Sequence, residues 1–269
     1  MSIESPSLTR MRDPKGILLD FDGVIVTTTV NPEWSTLTAR HIEKEFNLVS
    51  LESGLSFQDF REDLLAASLA FCNWCNAMSR PAAPKELSHE QFWADFVAGD
   101  WPEPAAAFVR DNARDLCLVM GDVKHIRTPR MGIREVLIEA SNAGIPVAIV
   151  SNTLRGEVNR RYLDMHDLAD GISAQIYSDE VGVRKPNPDM ISLGAAAIRV
   201  AVRDCWYVGD RYDRDVLCGR RAGVGGNILM RSGDTSERPE NPKFHPDTEV
   251  ADPSGLQALI CGAVSRVDA

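Results

Sequence analysis

Two carboxylates two positions apart, Asp20 and Asp22 in the run Asp20-Phe21-Asp22-Gly23, stand directly after a short apolar stretch, GILL. A carboxylate can attack phosphorus and carry the phosphoryl group covalently, which divides one difficult displacement into two easier ones. A second acid beside it, held at a different pKa, can protonate the leaving oxygen and then activate water. Three further polar clusters follow: Ser151-Asn152-Thr153 after IPVAIV, Lys185-Pro186, and Gly209-Asp210-Arg211-Tyr212-Asp213-Arg214-Asp215 after CWYV. A hydroxyl, an ammonium and backbone N–H groups suit the three oxygens over which phosphoryl transfer spreads its charge. Carboxylates suit a hard cation such as Mg²⁺. Each cluster alone also has a plain reading. Ser151 can be a helix N-cap, Lys185 a solvated lysine, and Asp213 an exposed partner of Arg211 or Arg214. Their order, each at the end of an apolar run, is what gives them weight.

Those runs define the elements that must position the clusters. GILL (16–19), IPVAIV (145–150), AQIY (174–177), CWYVGD (205–210) and NILM (227–230) have the length of buried strands. REVLIEASNAG (134–144), ISLGAAAIRV (191–200) and RDVLCGRRAG (214–223) read as the helices between them. Strands alternating with helices predict an α/β fold, a Rossmann-like doubly wound and mostly parallel sheet with its site at the carboxyl ends of the strands. From about Thr29 to His125 the text changes. EWSTLTARHIEKEF, FQDFREDLLAASLAF, SHEQFWADFV and AAAFVRDNARDLCLVM carry helical spacing and no clear strand, which predicts an inserted α-helical domain. The division expected is residues 1–28 and 127–269 for the core and 29–126 for the insertion. After Met230, RSGDTSERPENPKFHPD reads as an exposed loop before a last strand and a helix at GLQALICGAV.

The length of 269 residues fits one elaborated domain or two modest ones, and 44% hydrophobic with 25% charged residues is ordinary globular composition. No apolar run is long enough to span a bilayer. With 29 Lys and Arg against 39 Asp and Glu, the net charge of -10 gives no general attraction for nucleic acid or anionic membranes. The opening MSIESPSLTRMRDPK lacks the apolar core of a secretory signal, so a cytoplasmic location is expected. The six cysteines lack paired zinc spacing, and Cys72 and Cys75, a lone C-x-x-C in a helical stretch, are expected as two small buried hydrophobes.

Taken together, the four clusters resemble the motifs of the haloacid dehalogenase-like hydrolase superfamily, in the same order, with the insertion resembling that superfamily's C1-type helical cap. The resemblance implies Asp20 as nucleophile and metal ligand and Asp22 as acid and base, its backbone carbonyl also on the metal. It implies Ser151, the Asn152 backbone N–H at the start of a helix, and Lys185 on the phosphate, with Asp210 on a Mg²⁺ ion. Asp215 is implied as a ligand through water or an orienting partner, and Asp213 as additional.

Asp22 chooses among reactions. The dehalogenases and phosphonatases of the superfamily depart at this position, so a Mg²⁺-dependent phosphoric monoester hydrolase with an aspartyl-phosphate intermediate is the expected activity. A phosphomutase of the β-phosphoglucomutase type, a catalytically silent binding or regulatory protein, and a phosphotransfer receiver domain are the alternatives; the long insertion and the leading D-x-D speak against the last. The substrate expected is a small phosphorylated metabolite. Specificity is expected in the cap, where Asn31, Trp34, Arg40 and His41 are candidates, Trp34 doubling as a packing anchor and Arg40 and His41 as solvated helix-face residues. The cap holds 8 Lys and Arg against 15 Asp and Glu, which favours a sugar, polyol or carboxylate phosphate over a multiply charged leaving group.

Overall fold

A computed structural model describes residues 11–47, 54–233 and 245–267. Six strands form one sheet in the order β5-β4-β1-β6-β7-β8: β1 (Gly16–Leu19), β4 (Val147–Ser151), β5 (Ala174–Tyr177), β6 (Cys205–Gly209), β7 (Gly226–Met230) and β8 (Thr248–Val250). Every neighbouring pair is parallel. β1, β4, β6 and β7 are buried at every position, so their sequences are continuous apolar runs with no alternation to a wet face.

The period-2 alternation appears in which layer each side chain enters. Ile17, Leu19, Val147, Ile149 and Val208 pack toward α6 (Ile133–Asn142), α7 (Gly156–Met165) and α11 (Pro253–Val267). Leu18, Ala148, Val150, Cys205 and Tyr207 pack toward α9 (Asp189–Ala197) and α10 (Leu217–Ala222). The sheet is therefore doubly wound. From β1 the chain visits β4 and β5 on one side and then β6, β7 and β8 on the other, so the carboxyl end of β1 is the topological switch point, where such sheets open a crevice.

The insertion is helical as expected: α1 (Trp34–Asn47), α2 (Phe57–Ala77), α3 (His89–Gln91, continuing in a wide turn through Phe92–Val97), α4 (Glu103–Asp111) and α5 (Ala113–Lys124). It has its own core, built on Trp34, Phe46, Phe60, Phe92, Trp93 and Leu116. α2 starts at a capping box, in which Ser56 and Asp59 satisfy each other's backbone N–H, and buries Phe60, Leu64, Ala67 and Cys75 along one stripe. Among the described residues, no helix is long and apolar enough to cross a membrane.

Four details differ from the sequence reading. AAAFVRDNARDLCLVM is two helices and not one, because Asn112 leaves helical geometry and its amide donates to Phe108 O at 2.8 Å, closing α4. The insertion is not free of strands: β2 (Val26–Val30) and β3 (His125–Pro129) pair antiparallel as a two-stranded ribbon, with Thr29 opposite Ile126. The boundaries expected at 28/29 and 126/127 fall inside this ribbon. VTTTV is rich in β-branched residues that suit a pleated surface, but the ribbon is largely exposed, so no apolar alternation marks it. Cys75 is buried while Cys72 is exposed, so only one of the pair serves as a core hydrophobe. Part of the loop expected after Met230 lies outside the described residues; the strand and helix after it are β8 and α11.

Candidate active site

Asp20 is the first residue beyond β1, and its N–H donates to Val208 O on β6 at 2.9 Å. Its side chain is thereby fixed between two strands at the switch point. Lys185, in the loop after α8 (Ser178–Val181), reaches the same place. Its Nζ lies 2.8 Å from Asp20 Oδ2 and 2.7 Å from Asp215 Oδ1, and it donates to Tyr207 Oη at 2.9 Å. Tyr207 Oη in turn donates to Asp215 Oδ1 at 2.6 Å, and the N–H groups of Asp210 and Arg211 donate to Asp215 Oδ2 at 3.2 and 3.0 Å. Both oxygens of Asp215 are therefore engaged. Asp210, just past β6, accepts from Ser232 Oγ at 2.7 Å, just past β7. Gly23, at φ +78°, passes so close that a Cβ there would fall on the Asp210 carboxylate.

One ammonium thus pairs with two carboxylates, with a third, Asp210, close by, in a buried place. Burial opposes the charge on Lys185, but Asp20 and Asp215 outweigh it and hold the ammonium protonated far beyond its ordinary range. Burial is also the largest influence on the acids. It raises Asp20 to about 6 against the pull of Lys185, and with the charges of Asp215 and Asp20 it raises Asp210 to about 8. For Asp215 burial is outweighed by Lys185 and the hydrogen bonds, and its pKa is lowered. Asp20, Asp210 and Asp215 each offer an oxygen within 4.8 Å of the others. Hard oxygen donors with too little compensating positive charge are what a divalent cation such as Mg²⁺ requires, so these residues fit one.

Asp22 does not join this group. Its carboxylate accepts from Thr28 Oγ1 on β2 at 2.6 Å, stands 4.0 Å from Arg127 Nε on β3, and is 37% exposed. Two acids of one D-x-D motif are thus placed in different surroundings by the turn between β1 and the ribbon.

Ser151 ends β4 and is buried, and α7 begins only at Gly156, so the N-cap reading of Ser151 fails. For the same reason the Asn152 N–H is not at a helix start, as expected from the sequence, but in the connection before α7. The Asn152 side chain instead grips the Lys185 backbone from both sides, Oδ1 accepting from Lys185 N at 2.7 Å and Nδ2 donating to Lys185 O at 3.0 Å. Asp213 lies near Arg211 and Arg214, at 3.4 and 3.8 Å, as its plain reading has it.

Asp20, Asp22, Ser151, Asn152, Lys185, Asp210 and Asp215 all line one cavity of about 180 Å³, with Arg211 and Arg214. A second cavity of about 350 Å³ continues from it, sharing Asp22, Asn152 and Arg214, and runs between the core and the helical insertion. Of the specificity candidates only Trp34 lines it; it is also buried in the insertion's core. Asn31 instead donates to Val123 O at 2.9 Å and closes the ribbon, while Arg40 is exposed and His41 lines a separate surface groove. The basic side chains that do face the second cavity, Lys124, Arg155, Arg184 and Arg214, were missed in sequence. Three come from the core, and no local pattern marks them.

Residues 14–223 match the family model of a haloacid dehalogenase-like hydrolase. A phosphoserine phosphatase from Thermus thermophilus is 34% identical over 116 residues, which is 43% of this chain and 45% of that protein. A glyceraldehyde 3-phosphate phosphatase from Methanopyrus kandleri is 35% identical over 85 residues, 32% of this chain and 36% of that protein. The match thus spans less than half the length of either curated relative. Among solved structures, a HAD phosphatase from Thermococcus onnurineus superposes with a TM-score of 0.55 at 17% identity, covering 92% of this chain and 98% of that one. A 2-haloacid dehalogenase from Pseudomonas syringae does so with 0.57 at 14% identity, covering 94% and 99%. Two such neighbours share the fold under names of different activity, so the fold does not choose the reaction. The matched segment runs from before Asp20 to beyond Asp215 and covers most of the sequence, and the chain belongs to the haloacid dehalogenase-like hydrolase family.

Proposed function

We propose that this chain is a Mg²⁺-dependent phosphoric monoester hydrolase that acts on a small phosphorylated metabolite through an aspartyl-phosphate on Asp20. In this reading residues 1–28 and 127–269 form the catalytic core and 29–126 the cap. The observation that carries it is the separation of the two motif acids: Asp20 buried 2.8 Å from Lys185, Asp22 partly exposed on Thr28. A nucleophile must stay ionised, and at Asp20 the Lys185 ammonium works for this against the burial that raises its pKa to about 6; an acid–base group must exchange protons with leaving group and water, which the partial exposure of Asp22 allows.

The substrate's phosphoryl oxygens are received by the Lys185 ammonium, the Ser151 hydroxyl and the Asn152 backbone N–H. An Asp20 oxygen attacks phosphorus and the bond to the leaving oxygen breaks, with Asp22 giving that oxygen its proton. Asp22, now a carboxylate, takes a proton from water; the water oxygen attacks phosphorus, and inorganic phosphate leaves with Asp20 restored. Asp20, Asp210 and the main chain at Asp22 would hold the cation, whose charge offsets the repulsion between carboxylate and phosphate. Asp215 holds Lys185 and the Asp210 loop in place.

Release of inorganic phosphate from a panel of phosphate monoesters, in Mg²⁺ or EDTA, tests this. The native chain turns over at least one ester in Mg²⁺ and none in EDTA, and Asp20→Asn loses at least about 10³-fold. Undiminished turnover by Asp20→Asn overturns the nucleophile assignment, and undiminished turnover in EDTA overturns the metal.

A further inference from the structure

The wall of the second cavity carries four cations, Lys124, Arg155, Arg184 and Arg214, against two carboxylates, Asp22 and Glu86. Both carboxylates are already committed. Glu86 pairs with Arg184 at 2.9 Å, and Asp22 is held by Thr28 with Arg127 beside it. Arg214 has Asp213 nearby and hydrogen bonds to Ser79 and Asn76. Lys124 and Arg155 differ from these. Among the described residues neither has a carboxylate within ion-pair distance. Lys124 Nζ donates to Ser68 Oγ at 2.7 Å and sits 4.6 Å over the Trp34 ring. Arg155 approaches only the neutral ring of His125, at 2.6 Å, and its buried Nε has no hydrogen-bond partner. The two cations also repel each other. Asp22 and Asp179 act on Arg155 only from beyond ion-pair distance, and holding buried positive charges together with so little counter-charge is costly unless an anion arrives.

One cation comes from the insertion, at the end of α5, and the other from the core, just before α7, and both line the cavity. The same cavity is also lined by apolar side chains, Phe71, Phe92, Met120 and Leu154. We propose that the leaving group of the substrate ends in a carboxylate received by Lys124 and Arg155, so that the substrate is a phosphorylated hydroxy acid with a short carbon spacer. This rests on the hydrolase reading above and selects, among the sugar, polyol and carboxylate phosphates expected from sequence, the last class. The unpartnered Nε of the guanidinium can donate to a carboxylate oxygen beside the Nη2 that meets His125, and the ammonium supplies a second charge. The cavity, about a dozen water volumes, fits a leaving group of a few carbons.

Non-hydrolysable probes separate this from the hydrolase reading. Calorimetric titration of the native chain in Mg²⁺ with 3-phosphonopropanoate and with its carboxamide should show the acid bound about 30-fold more tightly, the contribution of a charge-assisted contact. In Lys124→Met and Arg155→Met, which keep length and packing, that ratio should fall to within about 3-fold. Should Arg155→Met fail to fold, by far-ultraviolet circular dichroism, Lys124→Met decides alone. Equal binding of acid and amide by the native chain, or an unchanged ratio in the folded variants, overturns the proposal. Tighter binding of propane-1,3-bisphosphonate than of the acid overturns it in favour of a second phosphate. Selective binding of the acid with no phosphate released from any ester removes the hydrolase reading and leaves the anion pocket standing; turnover without selectivity does the reverse.

Discussion

Lys185 is held from both ends: Asn152 clamps its backbone, and Asp20, Asp215 and Tyr207 surround its ammonium. Residues of this kind were legible in the sequence because their chemistry is unusual at the end of a strand, and Asp20, Ser151, Lys185, Asp210 and Asp215 converge as their order implies. Thr28, Ser232, Lys124 and Arg155 were not legible. Each is an ordinary surface-type residue until the fold sets it against its neighbours, Thr28 against Asp22 across a tight turn and Ser232 against Asp210 from the next strand. His125 is another such case, and it supports a prediction at this scale. Burial, then the charges of Arg155, Lys124 and Arg127, push its pKa down to about 2. Below an unfolded-state pKa of about 6.5 the unfolded chain binds a proton there that the folded chain refuses, so His125 takes stability away as pH falls. The slope is about 1.4 kcal/mol per pH unit between pH 6 and 4. Urea titrations across that range should show a shallower loss for His125→Gln, which keeps an acceptor for Arg155, than for the native chain. Parallel curves would contradict this account of His125.

At the scale of elements, apolar runs located five of the six strands of the main sheet, most densely where burial on both faces makes the run continuous, whereas β8, Thr248–Val250, was expected only as a last strand after the loop. The β2–β3 ribbon escaped for the opposite reason: it is exposed, and its pairing spans the whole insertion. The segment between α2 and α3 escaped as well, since RPAAP marks a break but not what the break touches. There the insertion is stitched to the Lys185 loop and to α10: Glu86 N donates to Gly182 O at 3.1 Å, Arg184 N to Pro84 O at 3.3 Å, and Arg221 on α10 to Pro81 O at 2.8 Å. The centre of the seam is the Glu86–Arg184 pair at 2.9 Å, with both side chains almost wholly buried, Ser178 Oγ donating to Glu86 and the guanidinium 4.6 Å over Trp74. Glu86→Ala leaves that guanidinium buried and uncompensated. It should cost about 3–5 kcal/mol in chemical denaturation, whereas exchanging both partners for apolar residues should cost less. A loss below about 1 kcal/mol in Glu86→Ala would show that the seam does not secure the insertion.

For the molecule as a whole, the net charge of -10 says little about the site. The insertion is acidic in sum, yet the cavity beneath it is walled by more cations than carboxylates, because most of its described acids other than Glu86 face solvent while arginines of the core project under it. Total charge was readable from the sequence; its division between outside and inside was not, since that depends on which helix face packs on the core. The length of 269 residues is explained by one parallel sheet interrupted by a helical unit with its own hydrophobic core. The central claim is that Asp20 carries the phosphoryl group, and trapping tests it most directly. A hydrolysable ester carrying radioactive phosphate, mixed with excess enzyme and Mg²⁺ and quenched in acid within the first turnover, should leave label on the peptide containing Asp20. Peptide mass spectrometry should place it on that aspartate, and Asp20→Asn should take up none. Label on another residue, or turnover with none on the protein at any time, would contradict the account.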